Sequence, residues 1–159
     1  MRLMNELCLN YISRIEIYNK YYIIQIYKLK KEEGLVLEMN FLWCTLRVKD
    51  LEESLYFYEK IVGIPLITRF QAGPGMEIAF LGSGETKIEL ISDTNTKEIE
   101  IGTHISIGFS VESLDEKIQF LKEHNIQLIS DIIRPNPTTR FFYVLDPSGL
   151  RVQFVEQAI

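Results

Sequence analysis

The sequence predicts an α+β fold made of two similar modules, each with the element order βαβββ. The main observation is an internal duplication, in which residues 111–120 repeat residues 48–57 at an offset of 63 positions. Each copy also places alternating apolar and polar residues directly before a helix-start signal. A chain of 159 residues with 47% apolar content can bury one sizeable core rather than two. The two copies are therefore predicted to be halves of one unit.

The first module is predicted to open with a strand at residues 42–48, followed by a helix. Apolar and polar residues alternate along this strand, which is the period expected when one face is buried. Asp50 stands at the N-cap position of the helix, with Glu53 three residues later as in a capping box. Gly63 is its predicted C-terminal stop. The predicted buried face of the helix consists of Leu51, Leu55, Tyr58 and Val62.

Three further strands complete the first module, at residues 64–70, 76–81 and 86–91. Glycine-rich turns at residues 73–75 and 82–84 separate them. The polar residues that follow, 92–101, are predicted to be a linker to the second module.

The second module is predicted to repeat the same order. Its helix, at residues 114–124, has a capping box formed by Ser113 and Glu116. Pro135 and Pro137 indicate a loop. The predicted strands lie at residues 104–111, 126–133, 141–145 and 150–155, with a turn at residues 146–149 between the last two.

The predicted domain occupies residues 39–159, with module 1 at residues 40–92 and module 2 at residues 103–157. Residues 1–38 hold five of the eight Tyr and have six basic and five acidic residues, a net charge of +1. The rest has eleven basic and seventeen acidic residues, a net charge of −6. We expect residues 1–38 to be a poorly ordered or non-native extension, with Met39 as the physiological start. The alternative is an ordered extra helix or strand.

Composition disfavours several classes of partner. The net charge of −5 and the pI of about 5.1 disfavour a nucleic-acid or anionic-membrane surface. No apolar run approaches the roughly 18 residues of a membrane span, and no signal-peptide pattern opens the chain. Cys8 and Cys44 offer neither a disulfide framework nor a metal-binding spacing. We therefore expect a cytoplasmic protein without a nucleic-acid or membrane partner.

Two stretches resemble the vicinal oxygen chelate superfamily: the opening LRVKDLEESLYFY and the close FFYVLDPSGLRVQFVE. That superfamily includes glyoxalase I, bleomycin-resistance proteins, extradiol dioxygenases and fosfomycin-resistance enzymes, and the resemblance covers residues 40–157. It implies that the sheets of the two modules curl around a shared cup, mixed but mostly antiparallel, with helices on the convex side. It also implies that modules pair within one chain or across a homodimer.

The alternation along the strands is consistent with such a cup. Apolar residues are expected to face the helices, which leaves a polar lining on the concave side. A polar lining between apolar layers is typical of a small-molecule site. The predicted ligand-binding residues are Trp43, Thr45, Arg47, Lys87, Ser106, Arg151 and Gln153.

The resemblance also implies where a metal would bind. Metal-dependent members place four His or Glu ligands in the cup, and by position these fall on Trp43, Glu89, Ser106 and Gln153. Only Glu89 is a ligand of the usual type, because an indole has no metal-binding lone pair and Ser and Gln are weak neutral ligands. The metal site of the superfamily is therefore predicted to be lost in this chain. A divalent ion (Zn, Ni, Mn or Fe) would need other partners.

His104 and Glu89 are the candidate catalytic residues. His104 precedes Ser106 by two positions, so it is predicted to face the cup about 6–7 Å further along the strand. It would then pair with Glu89 in a shifted metal site or as an acid/base couple. The alternatives are a solvated histidine at the rim and a Glu89 neutralised by a neighbouring cation.

Three functions follow from these residues. The first is a metal-free cup that binds an aromatic or carboxylate-bearing molecule, with Trp43 stacking and with Arg47, Lys87 and Arg151 binding an anion. The second is a glyoxalase-like lyase of the lactoylglutathione lyase type, or an isomerase, with a metal at Glu89. The third is a non-metal enzyme with Glu89 or His104 as base. The residues at the ligand positions favour the first.

Overall fold

The computed structural model describes residues 28, 40–96 and 98–157. The described residues from Phe41 onward form one compact unit. The expectations for residues 1–38 concern a segment that lies, apart from Lys28, outside the described residues. Among the helices that are described, none is both long and apolar enough to cross a membrane.

The first module has the predicted order of elements. Its strands and helix are β1 (Trp43–Arg47), α1 (Leu51–Tyr56), β2 (Leu66–Gly73), β3 (Met76–Leu81) and β4 (Lys87–Asp93). The helix continues beyond α1 as a π-helical segment, Phe57–Val62. There the amide of Gly63 donates to the carbonyl of Tyr58, five residues earlier, at 3.0 Å. Gly63 has a φ of 96°, the left-handed conformation that suits glycine at a helix end.

The second module repeats this arrangement. It contains β5 (Ser106–Ser110), α2 (Leu114–Glu123), β6 (Ile133–Asn136), β7 (Thr139–Leu145) and β8 (Arg151–Gln157). The two sheets have the same topology, in the strand orders β1-β4-β3-β2 and β5-β8-β7-β6. In each sheet the first and last strands of the module pair in parallel and the other pairs are antiparallel. The predicted α+β fold with two βαβββ modules is confirmed.

Both predicted N-caps are confirmed. Asp50 Oδ1 accepts from the amide of Glu53 at 2.9 Å, and Ser113 Oγ accepts from the amide of Glu116 at 3.2 Å. Each cap satisfies an amide that has no partner within the helix.

One predicted strand, at residues 126–133, is wrong. Only Leu128 makes an isolated bridge there, to Val144, and the strand begins at Ile133. Pro135, which was predicted to be in a loop, lies within β6. A proline is tolerated there because β6 is the outermost strand of its sheet, where one edge needs no amide donor.

The predicted start of β5 at His104 is also wrong. The parallel partner strand β8 begins at Arg151, which pairs with Ser106, so residues before Ser106 have no strand to pair with. They form a turn instead, in which the amide of Ile105 donates to the carbonyl of Gly102 at 3.4 Å. Ile105 was expected to face the helix, but it is 61% exposed.

The two modules share one core. Its buried members come from both helices and from the inner faces of both sheets, and include Leu55, Tyr58, Leu121, Phe142 and Phe154. Hydrogen bonds on the helix side also join the modules. Tyr58 Oη donates to Asp146 Oδ2 at 3.0 Å, the amide of Lys49 donates to Ser148 Oγ at 3.1 Å, and Lys117 Nζ donates to the carbonyl of Ile61.

An ion-pair network ties α2 to the sheet of its own module. Arg140 Nε and Nη2 each donate to Glu156 at 2.8 Å, and Nη2 also lies 2.8 Å from Asp115. The amide of Leu114, at the start of α2, donates to Glu156 at 2.6 Å. Arg140 and the Leu114 amide lower the pKa of Glu156, because both favour the ionised carboxylate.

We expect this network to make folding sensitive to acid. Because the pKa of Glu156 is lower in the folded state, the unfolded state binds more protons below about pH 4.5. The stability that Glu156 contributes is therefore present above that pH and is lost as the pH falls. Urea unfolding between about pH 7 and pH 3 measures the effect, and Glu156→Gln should flatten the acid side of the curve. Glu112→Gln is the control, because this exposed glutamate has no ion pair with any described residue; an equal flattening there would contradict the assignment.

Candidate functional site

The sheet of module 1 exposes a face that contains most of the predicted lining residues. Along β1, Trp43, Thr45 and Arg47 are exposed while the residues between them face the helix. In the register, Thr45 is opposite Glu89 on β4, and Glu89 is opposite Phe80 on β3. We call this surface the first lining face and define it by Trp43, Thr45, Arg47, Phe80, Lys87 and Glu89.

An aromatic pair and a carboxylate stand side by side on the first lining face. The rings of Trp43 and Phe80 meet edge to face, with centroids 5.6 Å apart and an interplanar angle of 76°. Trp43 is still 45% exposed, so much of the indole is available to another molecule. Thr45 Oγ1 donates a hydrogen bond to Glu89 Oε2. That contact fixes the orientation of the carboxylate.

The sheet of module 2 exposes the corresponding face. Ser106 and Ser110 on β5 are exposed, and Arg151 and Gln153 on β8 are half-buried. In the register, Gln153 is opposite both Gly108 on β5 and Tyr143 on β7. We call this surface the second lining face and define it by Ser106, Gly108, Ser110, Tyr143, Arg151 and Gln153.

The side chains of the second lining face are connected to one another. Gln153 Nε2 donates to Tyr143 Oη at 2.5 Å, and the Arg151 guanidinium lies over the Tyr143 ring, with Cζ 4.5 Å from the centroid. Gly108 leaves room for this arrangement, because a Cβ at that position would meet Gln153 Oε1 at 3.3 Å. The Nε of Arg151 is buried and has no hydrogen-bond partner among the described residues.

In each sheet, the two positions implied for metal ligands lie diagonally across a pair of parallel strands. Trp43 pairs with Lys87, so Glu89 is two residues beyond the partner of Trp43. Ser106 pairs with Arg151, so Gln153 is two residues beyond the partner of Ser106. The duplication therefore extends from the helix caps into the site.

The side chains at these positions do not fit a metal ion. Trp43 packs against Phe80, and the amide of Gln153 is hydrogen-bonded to Tyr143. Across residues 40–96 and 98–157, no three His, Cys, Asp or Glu side chains are grouped closely enough to hold a metal. Glu89 alone supplies one or two oxygens, whereas Zn and Ni sites in proteins need three or more ligands.

The structure places the two candidate catalytic residues on different elements. Glu89 lies on the first lining face, whereas His104 is exposed in a turn before β5 and does not share the strand of Ser106. Outside that strand, the alternation of β5 does not direct the His104 side chain toward the cup, so its pairing with Glu89 stays a prediction. Phe80 and Tyr143 were not identified from the sequence. The signal was present, because each lies between two buried residues of its strand and must therefore face the other side of the sheet.

The hydrogen bonds between the modules do not involve the lining faces. The hydrogen bonds between modules lie on the helix side of the sheets, and within residues 40–96 and 98–157 no hydrogen bond or ring contact joins one lining face to the other. A cleft of about 370 Å³ borders Thr45 and Arg47, and its other walls include residues 98–102, Ile105 and Leu150. Each lining face carries exposed side chains, among them Trp43 on the first and Ser106 on the second.

Comparisons with known proteins agree with this architecture. The family model described as "Glyoxalase/Bleomycin resistance protein/Dioxygenase superfamily" matches residues 40–154. A lactoylglutathione lyase of Escherichia coli O157:H7 is 30% identical over 128 residues, which cover 75% of this chain and 93% of the relative. The metallothiol transferase FosB of Staphylococcus epidermidis is 29% identical over 109 residues, covering 67% of this chain and 73% of the relative. The glyoxalase I structure of Leishmania major aligns with a TM-score of 0.64 at 21% identity, over 75% of this chain and 87% of that one.

Proposed function

The chain belongs to the Glyoxalase/Bleomycin resistance protein/Dioxygenase superfamily, and on that basis we propose that it binds a small organic molecule in a cup without a metal ion. One observation carries this proposal. At the four strand positions where metal-dependent members of the superfamily have ligands, this chain has Trp43, Glu89, Ser106 and Gln153. A cup that keeps its shape but lacks three of four ligands retains the means to bind a molecule and loses the means to activate it through a metal.

The side chains of the lining faces suit an aromatic ligand. Trp43 and Phe80 form an aromatic wall, and the exposed part of the indole offers a surface on which a flat ring can stack. The Glu89 carboxylate, oriented by Thr45, can accept a hydrogen bond from a ligand donor beside that wall. The aromatic wall would supply most of the affinity, and Glu89 would supply selectivity.

The relatives do not single out one reaction. A lactoylglutathione lyase and a metallothiol transferase match this chain at 30% and 29% identity. Two different chemistries at nearly equal similarity support the shared fold and not either activity. The metal-dependent lyase remains the principal alternative, and it needs metal ligands that the lining faces do not supply.

We further propose that a second copy of the chain completes the cup. Among the described residues both lining faces carry exposed side chains, and their first strands, β1 and β5, are edge strands of their sheets. Exposed apolar side chains flank these edges, namely Phe41 and Leu42 beside β1 and Ile105 beside β5. Free strand edges beside exposed apolar residues are surfaces that proteins usually cover. A homodimer would cover them and bring the first lining face of one copy to the second lining face of the other.

The test combines metal analysis with ligand binding on the full chain. We expect the purified protein to hold no stoichiometric metal and to bind Ni, Zn, Mn or Fe(II) no better than a surface site does. Trp43 is the only tryptophan, so quenching of its fluorescence by a panel of aromatic acids and amides reports binding at this wall. By calorimetry, Trp43→Ala should weaken the best ligand by about 1–3 kcal/mol.

Trp43→Phe is the matched control, because it keeps an aromatic surface and should retain most of the affinity. Tight stoichiometric metal in the unmodified protein would overturn the proposal and favour the lyase. Equal affinity in Trp43→Ala and the unmodified protein would remove the aromatic wall from the site.

A further inference from the structure

Three side chains of the second lining face form a cluster whose charge is not neutralised. Arg151 lies over the ring of Tyr143, and Tyr143 accepts a hydrogen bond from Gln153. Two of the other four strand arginines contrast with Arg151, and the remaining two, Arg47 and Arg134, are exposed. Arg69 forms ion pairs with two carboxylates, and so does Arg140, whereas Arg151 forms none with any described residue. A half-buried cation without a protein anion is costly unless something else binds it.

The cluster is held in place by its neighbours. The aromatic face of Tyr143 supports the guanidinium through a cation–π contact, which restricts the side chain of Arg151. Gln153 in turn fixes Tyr143 through the 2.5 Å hydrogen bond. Gly108 opposite Gln153 allows the amide to lie flat against β5, because a Cβ there would crowd Gln153 Oε1. The guanidinium is therefore preorganised before any ligand arrives.

The free donors of the cluster point to the chemistry of its ligand. The amide of Gln153 donates to the phenol oxygen of Tyr143, so the phenol hydrogen remains free to donate. The terminal nitrogens of Arg151 make no hydrogen bond to a described residue, and the Nε is buried without a partner. The free donors are thus the terminal N–H groups of Arg151 and the O–H of Tyr143, and they outnumber the one free acceptor of the cluster, Gln153 Oε1, which lies beside Gly108. Such a set is complementary to an anionic oxygen group.

We propose that Arg151, Tyr143 and Gln153 form a receptor for the carboxylate group of the ligand. Arg151 would bind the two carboxylate oxygens side by side, Tyr143 would donate to one of them, and Gln153 would act as a positioning residue for Tyr143. This inference rests on the proposed function, and it assigns the anionic end of the ligand to the second lining face. Of the three cations predicted for this role, Arg47 is exposed and near Asp93, whose pKa it helps to lower. Lys87 lies on the first lining face and makes no ion pair or cation–π contact with a described residue. Arg151 is the one of the three that an aromatic ring supports.

Benzoate and its neutral isostere benzamide test the receptor directly. In the full-length protein, the side-chain Nε–H resonance of Arg151 should shift on addition of benzoate and not on addition of benzamide. Calorimetry should give about 10-fold or more preference for benzoate, the size expected for hydrogen bonds to a charged group. Arg151→Met should abolish this preference, and Arg151→Lys should keep the charge but lose most of the preference, because an ammonium lacks the planar fork.

Arg134→Met is the control, because Arg134 is an exposed arginine on β6 of the same module and is outside the lining face. It should leave the preference unchanged. Gln153→Leu should weaken benzoate binding less than Arg151→Met does. If Arg151→Met fails to fold, two measurements still test the receptor. They are the benzoate-induced shift of the Arg151 resonance in the unmodified protein and the benzoate preference of Arg151→Lys.

The outcomes separate this inference from the proposed function. Binding of aromatic molecules that depends on Trp43 but not on Arg151 would overturn the receptor and leave the cup intact. Benzoate binding that depends on Arg151 but not on Trp43 would support the receptor and overturn the aromatic wall. Stronger binding of inorganic phosphate than of benzoate would overturn the assignment to a carboxylate. Loss of stability in Arg151→Met, with no benzoate shift in the unmodified protein, would mean that Arg151 only packs on Tyr143.

Discussion

Replacing Asp146 with alanine is expected to lower the free energy of unfolding by about 3–4 kcal/mol. Asp146 is buried at the turn between β7 and β8 and accepts three hydrogen bonds. Oδ1 accepts from the amides of Ser148 and Leu150 at 2.9 and 2.7 Å, and Oδ2 accepts from Tyr58 Oη at 3.0 Å. Removing the carboxylate leaves all three donors buried without a partner. Urea unfolding at neutral pH, with the m-value checked for constancy, measures the loss.

Two further variants separate the contribution of the turn amides from that of the Tyr58 hydrogen bond. Asp146→Asn keeps an acceptor for the two turn amides, so it should cost less than half as much as the alanine variant. Tyr58→Phe removes only the bond between modules and should cost about 1–2 kcal/mol. A loss under about 0.5 kcal/mol for Asp146→Ala would contradict the role of this carboxylate in joining the modules.

The pKa of Tyr58 reflects the same environment. Burial raises it well above its ordinary value, and the nearby Asp146 carboxylate raises it further, because both disfavour the phenolate. The neutral phenol is therefore the form that the folded state requires. Since the unfolded state releases this proton above about pH 10, the stability tied to the phenol is retained below that pH and is lost as the pH rises.

Local patterns explain why so much of the fold was predictable. The capping boxes at Asp50 and Ser113 depend on residues three positions apart, and the faces of β1 and β4 depend on alternation within five to seven residues. Such signals are complete within the sequence itself. The duplication strengthened the prediction, because the same order of elements was indicated independently in each module.

The errors arose where a partner distant in sequence decides the structure. The alternation around His104 predicted that β5 begins there. The pairing of β5 with β8 begins only at Ser106, because its partner Arg151 is the first residue of β8. Pro135 indicated a loop, yet an outermost strand has a free edge that tolerates proline. In both cases the deciding fact was the position of another strand, which a local pattern does not contain.

In the candidate site, too, local features were predictable and contacts between distant residues were not. Alternation predicted which residues of β1, β4 and β8 share one face of each sheet, and the register agrees with it. It did not predict that Thr45 donates to Glu89 or that Arg151 lies on Tyr143. Those features depend on side-chain partners across strands. The sequence therefore indicates which side chains lie on each lining face, whereas their contacts with one another follow only from the tertiary structure.

Restoring the missing ligands is expected to create a metal site. In the triple variant Trp43→His, Ser106→His and Gln153→Glu, each lining face gains the side chains that metal-dependent members of the superfamily have. Both faces already carry these positions on the same diagonal between paired strands, so the backbone needs no change. We expect the variant to bind Zn or Ni with one ion per site, on the order of 10³-fold more tightly than the unmodified protein. Calorimetry with a chelator as competitor measures the difference.

The same variant also tests how the cup is assembled. Each lining face provides only two of the four ligands, and two ligands alone hold a divalent ion weakly. Tight binding therefore requires that the first lining face of one copy meets the second lining face of another. Metal should then stabilise the homodimer, which sedimentation equilibrium detects as tighter self-association in the presence of Zn. Adding Glu89→Gln to the triple variant should remove most of this gain, because it withdraws the one ligand that the chain has kept. A folded triple variant that binds metal no better than the unmodified protein would mean that the two faces do not come together, and a cup completed by a second copy would have to be abandoned.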